Sequence, residues 1–253
     1  MVLHTHFLLI NVVSRVNPYV MKNLLPCLTL AVFLVVLSCK SHKYYTTNEF
    51  DQATANHRLV AVVPAEIVFT GTQPKKLTPE DIVKIEEAES IAFQEALYNN
   101  ILQHANGRKY FTRVEFQDIS TTRKVLTDNN LPNRKAWGLS DKELATLLKV
   151  DAVVRMRIQK KRYMSDLASY GIDLAKQISY EYGFGRIPGT GIPLPNVRNN
   201  TNDIYASCSV LSGGRTLWND HYKSASDWNS SANEIIEGIT EVFGKHFPYK
   251  QRR

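Results

Sequence analysis

Apolar and polar positions recur along this chain with two different periods, and the change from one to the other marks out its elements. Leu59-Val60-Ala61-Val62-Val63 is a short continuous run rich in β-branched residues, the pattern of a strand buried on both faces. Pro64 ends that strand or puts a bulge in it, and extended character resumes over Glu66-Ile67-Val68-Phe69. Thr78-Pro79-Glu80-Asp81 then opens a helix with an N-cap hydroxyl, a proline at the first helical position and acids in the first turn. Ile82, Ile85, Ala88, Ala92 and Ala96, joined by Ile91, Leu97 and Ile101, recur at three- and four-residue steps until Asn106-Gly107 supplies a stop. The prediction is one long helix whose small residues Ala88, Ala92 and Ala96 pack closely on a sheet.

Phe111 to Ile119 reads as a second strand, and Ser120-Thr121-Thr122 caps a short helix reaching about Asn129. Ser140-Asp141-Lys142-Glu143 is a capping box heading Leu144 to Leu148. Val150 to Ile158 alternates again, with Ala152, Val154, Met156 and Ile158 on one side and Val153, Arg155 and Arg157 on the other. After a long interruption, Ile204, Ala206, Cys208 and Val210 alternate with polar neighbours, Ser212-Gly213-Gly214-Arg215 makes a turn, and Thr216 to Ser224 returns as the second arm of a hairpin. Ser230 or Ser231 caps a last helix, ended by Phe247-Pro248. Early strand–helix–strand connections imply parallel pairing, and the hairpin adds antiparallel strands. The expected fold is a single α/β domain over 58–249, with a mixed sheet of about five strands, flanking helices and one long insertion at 163–202.

The N-terminus has a different character. Lys22 precedes Leu24 to Leu37, an uncharged apolar run of 14 residues followed by Ser38-Cys39-Lys40. That is the order of a secretory signal, and it is short of the ~20 residues a membrane-spanning helix needs. Val36-Leu37-Ser38-Cys39 resembles a bacterial lipobox, which implies that Cys39 is lipidated and becomes the mature N-terminus. The acyl chains are then the covalent lipid group, and two or more of them hold stably in a membrane. Met21 reads as the start, so 1–38 is the signal region. The polar stretch 39–57 reads as a lipidated tether too poor in aliphatic residues to order itself. Lys40 stands where an acid commonly marks inner-membrane retention, so the resemblance favours an outer-membrane lipoprotein facing the periplasm.

Two internal motifs point the same way. Leu147-Leu148-Lys149-Val150-Asp151-Ala152-Val153-Val154 and the hairpin Gly213-Gly214-Arg215-Thr216-Leu217-Trp218 resemble those of a broad group of bacterial envelope lipoproteins. The group includes the curli secretion lipoprotein family, the outer-membrane lipoprotein activators of peptidoglycan synthases, and relatives sharing the fold of the amino-terminal domain of the Tol translocation protein B. Lys149 departs from the group, which often has a helix-stopping glycine there, and the insertion departs as well. The resemblance brings no catalytic residues. Asp151 is expected to brace the turn into its strand, and Trp218 to pack across the hairpin.

Composition narrows the chemistry. The 253 residues carry a net charge of +7, and the signal region contributes two of the 31 bases and none of the 24 acids, leaving +5, too thin an excess to argue for nucleic acid. With Cys27 discarded and Cys39 acylated, Cys208 is the single mature thiol, so neither an internal disulfide nor a cysteine zinc site forms; no close histidine spacing suggests a metal site either. No cofactor is expected. Asp220 and His221 point to opposite faces of their strand and read as a surface pair, while Gly183-Phe184-Gly185 and Gly189-Thr190-Gly191 lack the rest of any phosphate-loop pattern.

Arg155 and Arg157, beside Lys160, Lys161 and Arg162, could meet an anionic membrane or glycan surface. The insertion mixes Tyr163, Tyr170, Tyr180, Tyr182 and Phe184 with glycines and prolines, as binding loops do. These features describe a lipid-anchored, non-catalytic binding or assembly protein whose partners are the membrane and an envelope protein or glycan. The other reading is an envelope hydrolase or carbohydrate-active enzyme with its site built by residues 160–202.

Overall fold

The computed structural model describes residues 44–71, 78–105, 109–162, 201–227 and 229–253. All of them belong to the second of two units, Lys43–Arg253, into which the chain divides after His42. The signal region, Cys39 and the bulk of the insertion lie outside the described residues. Among those described, no helix is long and apolar enough to cross a membrane.

The fold is mixed α/β. Its strands are β1 (Tyr45–Thr46), β2 (Leu59–Val62), β3 (Glu66–Gly71), β4 (Tyr110–Thr112), β5 (Glu115–Phe116), β6 (Ala152–Arg162), β7 (Asn202–Ser212), β8 (Arg215–Ser226) and β9 (Lys250–Arg252). Its helices are α1 (Phe50–Ala53), α2 (Pro79–Ala105), α3 (Ile119–Asp128), α4 (Asn133–Gly138), α5 (Asp141–Leu148) and α6 (Ala232–His246). Seven strands form the main sheet in the order β1-β8-β7-β6-β2-β5, with β3 also on β6, and β4 pairs with β9 in a small second sheet. β2 is parallel to β5 and β6, whereas β6, β7, β8 and β1 pair antiparallel.

Pro64 does interrupt the first strand. β2 and β3 lie parallel to the same neighbour, but Val62 faces Val154 and Glu66 faces Arg157, so four steps on one side match three on the other. The extra residue breaks the ladder, and α2 repairs it. Gln94 Nε2 donates to the Val62 carbonyl at 2.7 Å, and the Ala65 N–H donates to the Ser90 carbonyl.

The caps follow from local chemistry. Thr78 Oγ1 accepts from the Asp81 N–H, and Asp81 Oδ2 accepts from the Thr78 N–H. Full capping boxes head α5, from Ser140 to Glu143, and α6, from Ser231 to Glu234. The cap of α3 is Asp118, whose carboxylate accepts from the Ser120 N–H, so the expected Ser/Thr cap lies two residues late. Lys149 ends α5 in the left-handed region at φ 57°, where a glycine avoids the Cβ strain. Gly213 and Gly214, at φ 62° and 82°, make the two-residue turn that matches the twist of the β7–β8 hairpin.

The core lies between one face of the sheet and the helices α2 and α6. Val60, Val62, Ala152, Val154, Met156, Ile158, Cys208, Val210 and Trp218 face Phe93, Leu97, Ile101, Ile239 and Phe243. Each large side chain buried this way contributes about 1.5–3 kcal/mol relative to exposure. The stripe that α2 buries is Glu86, Ser90, Phe93, Leu97 and Ile101; Ala88 is exposed, while Ala92 and Ala96 lie at the margin of the core. The close approach is made by Gly244 of α6, where a Cβ would stand 2.8 Å from the Asn100 backbone. Asn100 Nδ2 also donates to Thr240 Oγ1 at 3.0 Å, joining the two helices.

Three expectations change. The tether is shorter than expected, because β1 extends the sheet alongside β8 and Phe50 is buried against Tyr249. Backbone pairing needs no apolar side chains, so polarity alone gave no sign of it. Phe111 to Ile119 divides into β4 and β5, which lie in different sheets, while Ile119 begins α3. The main sheet has seven strands and not about five, the additions being short pieces recruited by longer neighbours.

Candidate functional site

Side chains alternate across a strand, so the positions that do not face α2 and α6 form a second face. Helices α3, α4 and α5 bury its first part, packing Leu126, Ala136, Leu144 and Leu148 on Ala61, Val63 and Val153. From Arg155 onward the second face turns polar. Glu66, Arg157, Ser207 and His221 lie side by side across β3, β6, β7 and β8, and Val68, Gln159, Tyr205 and Lys223 form the next row. Arg157, Gln159, Tyr205, His221 and Lys223 are all exposed.

A depression of about 250 Å³ opens where this polar half meets the helical half. Pro64 and Leu211 give it apolar surface, Trp137 of α4 stands at one side, and Ser207, Ser209, Glu66 and Arg157 supply polar groups. Arg157 lies 3.4 Å from Glu66 and keeps 58% of its side chain exposed. Arg155 is held differently, its guanidinium donating to the carbonyls of Leu139 and Trp137 at 2.9 and 2.5 Å. It therefore fixes the end of α4 to the sheet and positions the Trp137 wall.

The residues nominated from sequence thus part company. Arg155 and Arg157 both line this groove, whereas Lys160 points to the other face, 9% exposed and paired with Glu89 at 2.6 Å. Tyr163, Tyr170, Tyr180, Tyr182 and Phe184 lie outside the described residues. Trp218 is fully buried, its ring 5.9 Å from that of Phe247. Asp220 is no surface residue: it is fully buried beneath α6, 3.1 Å from His246 Nδ1, because its side of β8 faces the core. Cys208 is buried too, and burial, with Asp220 beside it, pushes its thiol well above the ordinary range. Sequence reasoning passed over Trp137, Ser207 and Ser209. The serines carried a signal in the polar half of the β7 alternation, but the isolated Trp137 carried none.

A second cluster joins four segments. Asp151 Oδ2 accepts from the N–H groups of Arg58 and Leu59 at 2.7 and 2.9 Å, and burial is outweighed by these bonds, so its carboxyl lies below the usual range. Ser212 Oγ donates to the Asp151 carbonyl at 2.8 Å and lies 3.3 Å from His57 Nε2, while His57 Nδ1 is 2.6 Å from the Tyr249 hydroxyl. A carbonyl only accepts, so the Ser212 proton is committed to it. His57 Nε2–H then donates to Ser212, and Tyr249 donates to Nδ1. The outline resembles a serine nucleophile with its base, but His57 has no free lone pair facing Ser212. The chain braces the termini of β6 and β7 against the two ends of the domain.

That arrangement requires a neutral imidazole. Burial lowers the His57 pKa, with Asp151 opposing the shift and Arg113 adding to it. A depressed value in the folded state means stability that is complete above the unfolded value near 6.5 and is lost as pH falls through the folded one. Urea titrations between pH 7.5 and 5 should therefore show a decline that His57→Gln flattens. Equal slopes for the two proteins would remove the assigned tautomer.

No protein-family model matches the chain, and no curated protein matches it significantly. Solved structures to which the chain is similar in part include the following three. A PelC dodecamer from Paraburkholderia phytofirmans has 10% identity and a TM-score of 0.36 over 81% of this chain and 95% of that one. Lipoprotein GNA1162 from Neisseria meningitidis has 10% identity and a TM-score of 0.41 over 75% and 96%. The C-terminal domain of LpoB from Salmonella enterica has 12% identity and a TM-score of 0.32 over 68% and 83%.

Proposed function

We propose that this chain is a lipid-anchored binding or assembly protein of the bacterial envelope, held to the outer membrane through Cys39 and engaging its partner with the polar half of the main sheet. The observation that carries the reading is the asymmetry of that sheet. One face is packed under α2 and α6, whereas the other presents Arg157, Gln159, Tyr205, His221 and Lys223 on a scaffold of paired strands. A rigid sheet with exposed long polar and aromatic side chains suits recognition, since the backbone is held and few groups must be ordered on binding. The lipobox-like Val36-Leu37-Ser38-Cys39 supports the anchored location.

Cys39→Ala should move the folded protein out of the membrane fraction and abolish incorporation of a palmitate analogue. A photo-crosslinking residue at Gln159 in living cells should capture a discrete envelope component, while the same residue at Lys124, on helix α3 and outside the two polar rows, should not. Absence of acyl label on the unmutated protein would overturn the anchor. Equal capture from both positions would overturn the assigned surface.

A further inference from the structure

We propose that the groove beside Arg157 binds acidic pyranose units of an envelope polysaccharide; this rests on the reading of the polar sheet half as the binding surface. Shape is the first argument. The residue added at Pro64 sets β3 one step out of the register that β2 keeps on β6, and the small side chains of Ser207 and Ser209 leave a hollow between neighbours that are long. The resulting 250 Å³ is a shallow recess of sugar-ring scale, open along the sheet.

Chemistry is the second argument. A pyranose offers an apolar ring face edged by hydroxyls, each able to donate and accept. The groove matches both, with Trp137, Leu211 and Pro64 as apolar surface and Ser207, Ser209 and Glu66 as hydrogen-bonding groups. A peptide adding itself as a strand would have to pair along the outer edge of β3, because β6 and β7, which form the floor, are flanked on both sides.

Charge is the third. Two guanidiniums, Arg155 and Arg157, stand against one carboxylate, Glu66, and Arg155 is met by carbonyl oxygens that leave its charge uncompensated. Arg157 sits at 3.4 Å from Glu66 and is more than half exposed, so it can offer its planar fork to a uronate carboxylate while Glu66 accepts from ring hydroxyls. Next to the groove, Tyr205 is 41% exposed with Lys223 4.9 Å above its ring, which extends the contact to further units of a polymer.

The test uses the mature lipidated chain in neutral detergent micelles, titrated with oligogalacturonate, oligomannuronate and neutral maltohexaose, and with phosphatidylglycerol vesicles as a separate arm. At least one acidic oligosaccharide should bind, maltohexaose should bind at least tenfold more weakly, and added salt should weaken the acidic ligand. Arg157→Gln and Ser207→Phe, which fills the floor, should each lower that affinity at least tenfold with the melting temperature unchanged, and Lys124→Gln should have no effect. Binding that survives Arg157→Gln, or no binding of either acidic oligosaccharide, overturns the inference. Arg157-dependent binding to vesicles without oligosaccharide binding overturns it in favour of a membrane surface. If a protein is still captured from Gln159 while both oligosaccharides fail, the glycan assignment is lost and the binding surface stands; if neither binds, both are lost.

Discussion

Trp218→Ala lowers the stability of the domain by about 3–5 kcal/mol, the range for truncating a fully buried aromatic side chain whose surroundings cannot collapse. The reason lies in its position. Trp218 is 0% exposed, it pairs with Thr46 on one side and Val210 on the other, and its ring meets Phe247 just beyond α6. Its removal therefore empties a site shared by the edge strand, the hairpin and the C-terminal segment. In a domain of this size the melting temperature should fall on the order of 10 °C. Trp218→Phe should recover part of the loss, because the indole N–H has no hydrogen-bond partner among the described residues and only volume is forfeited. A melting temperature unchanged in the alanine variant would show that the ring does not hold the hairpin.

The second large effect concerns Lys160 and Glu89. Lys160 projects into the core side of β6, its ammonium 2.6 and 2.7 Å from the two Glu89 oxygens and 5.6 Å from the centre of the Phe69 ring. Side-chain exposures of 11% and 18% leave little water to take over from a lost partner. Lys160→Ala should cost about 3 kcal/mol, most of it the penalty of leaving a carboxylate unpaired in a poorly solvated place. Replacing both residues at once, Lys160→Met with Glu89→Leu, should return stability close to that of the unmutated chain, since matched apolar groups need no desolvation. Denaturant melts of the unmutated chain, Lys160→Met, Glu89→Leu and the double variant decide the matter. Losses that simply add in the double variant would mean that the two charges act independently.

Local chemistry made much of this fold legible. The capping boxes at Ser140 and Ser231, the proline start of α2, the two-glycine turn and the clean alternation of β7 are signals carried by adjacent residues, and each element appears where they stand. The short strands β1 and β9 were not legible, because they have two or three residues each and exist only by pairing with a neighbour distant in sequence, and β5 was legible only as part of a longer strand. The candidate site divides in the same way. Arg155 and Arg157 could be placed on one face from their spacing alone, but the spacing says nothing of the Leu139 and Trp137 carbonyls that occupy the first, or of the Glu66 carboxylate beside the second.

The sequence by itself determined where the helices with capping boxes begin and which long strands alternate, because these depend on interactions reaching no further than one helical turn or one strand repeat. Only the tertiary structure decided which polar residues are buried. Glu86, Gln94, Asn100, Asp220 and Lys160 would be read as surface residues from their chemistry, yet each is taken inside with a partner distant in sequence. Burial of a polar group is permitted by the hydrogen bond that compensates it, and that bond is a property of the assembled fold. The groove arises likewise from a bulge between β2 and β3, two serines of β7 and a tryptophan of α4, which have no relation along the chain until the sheet and its helices bring them together.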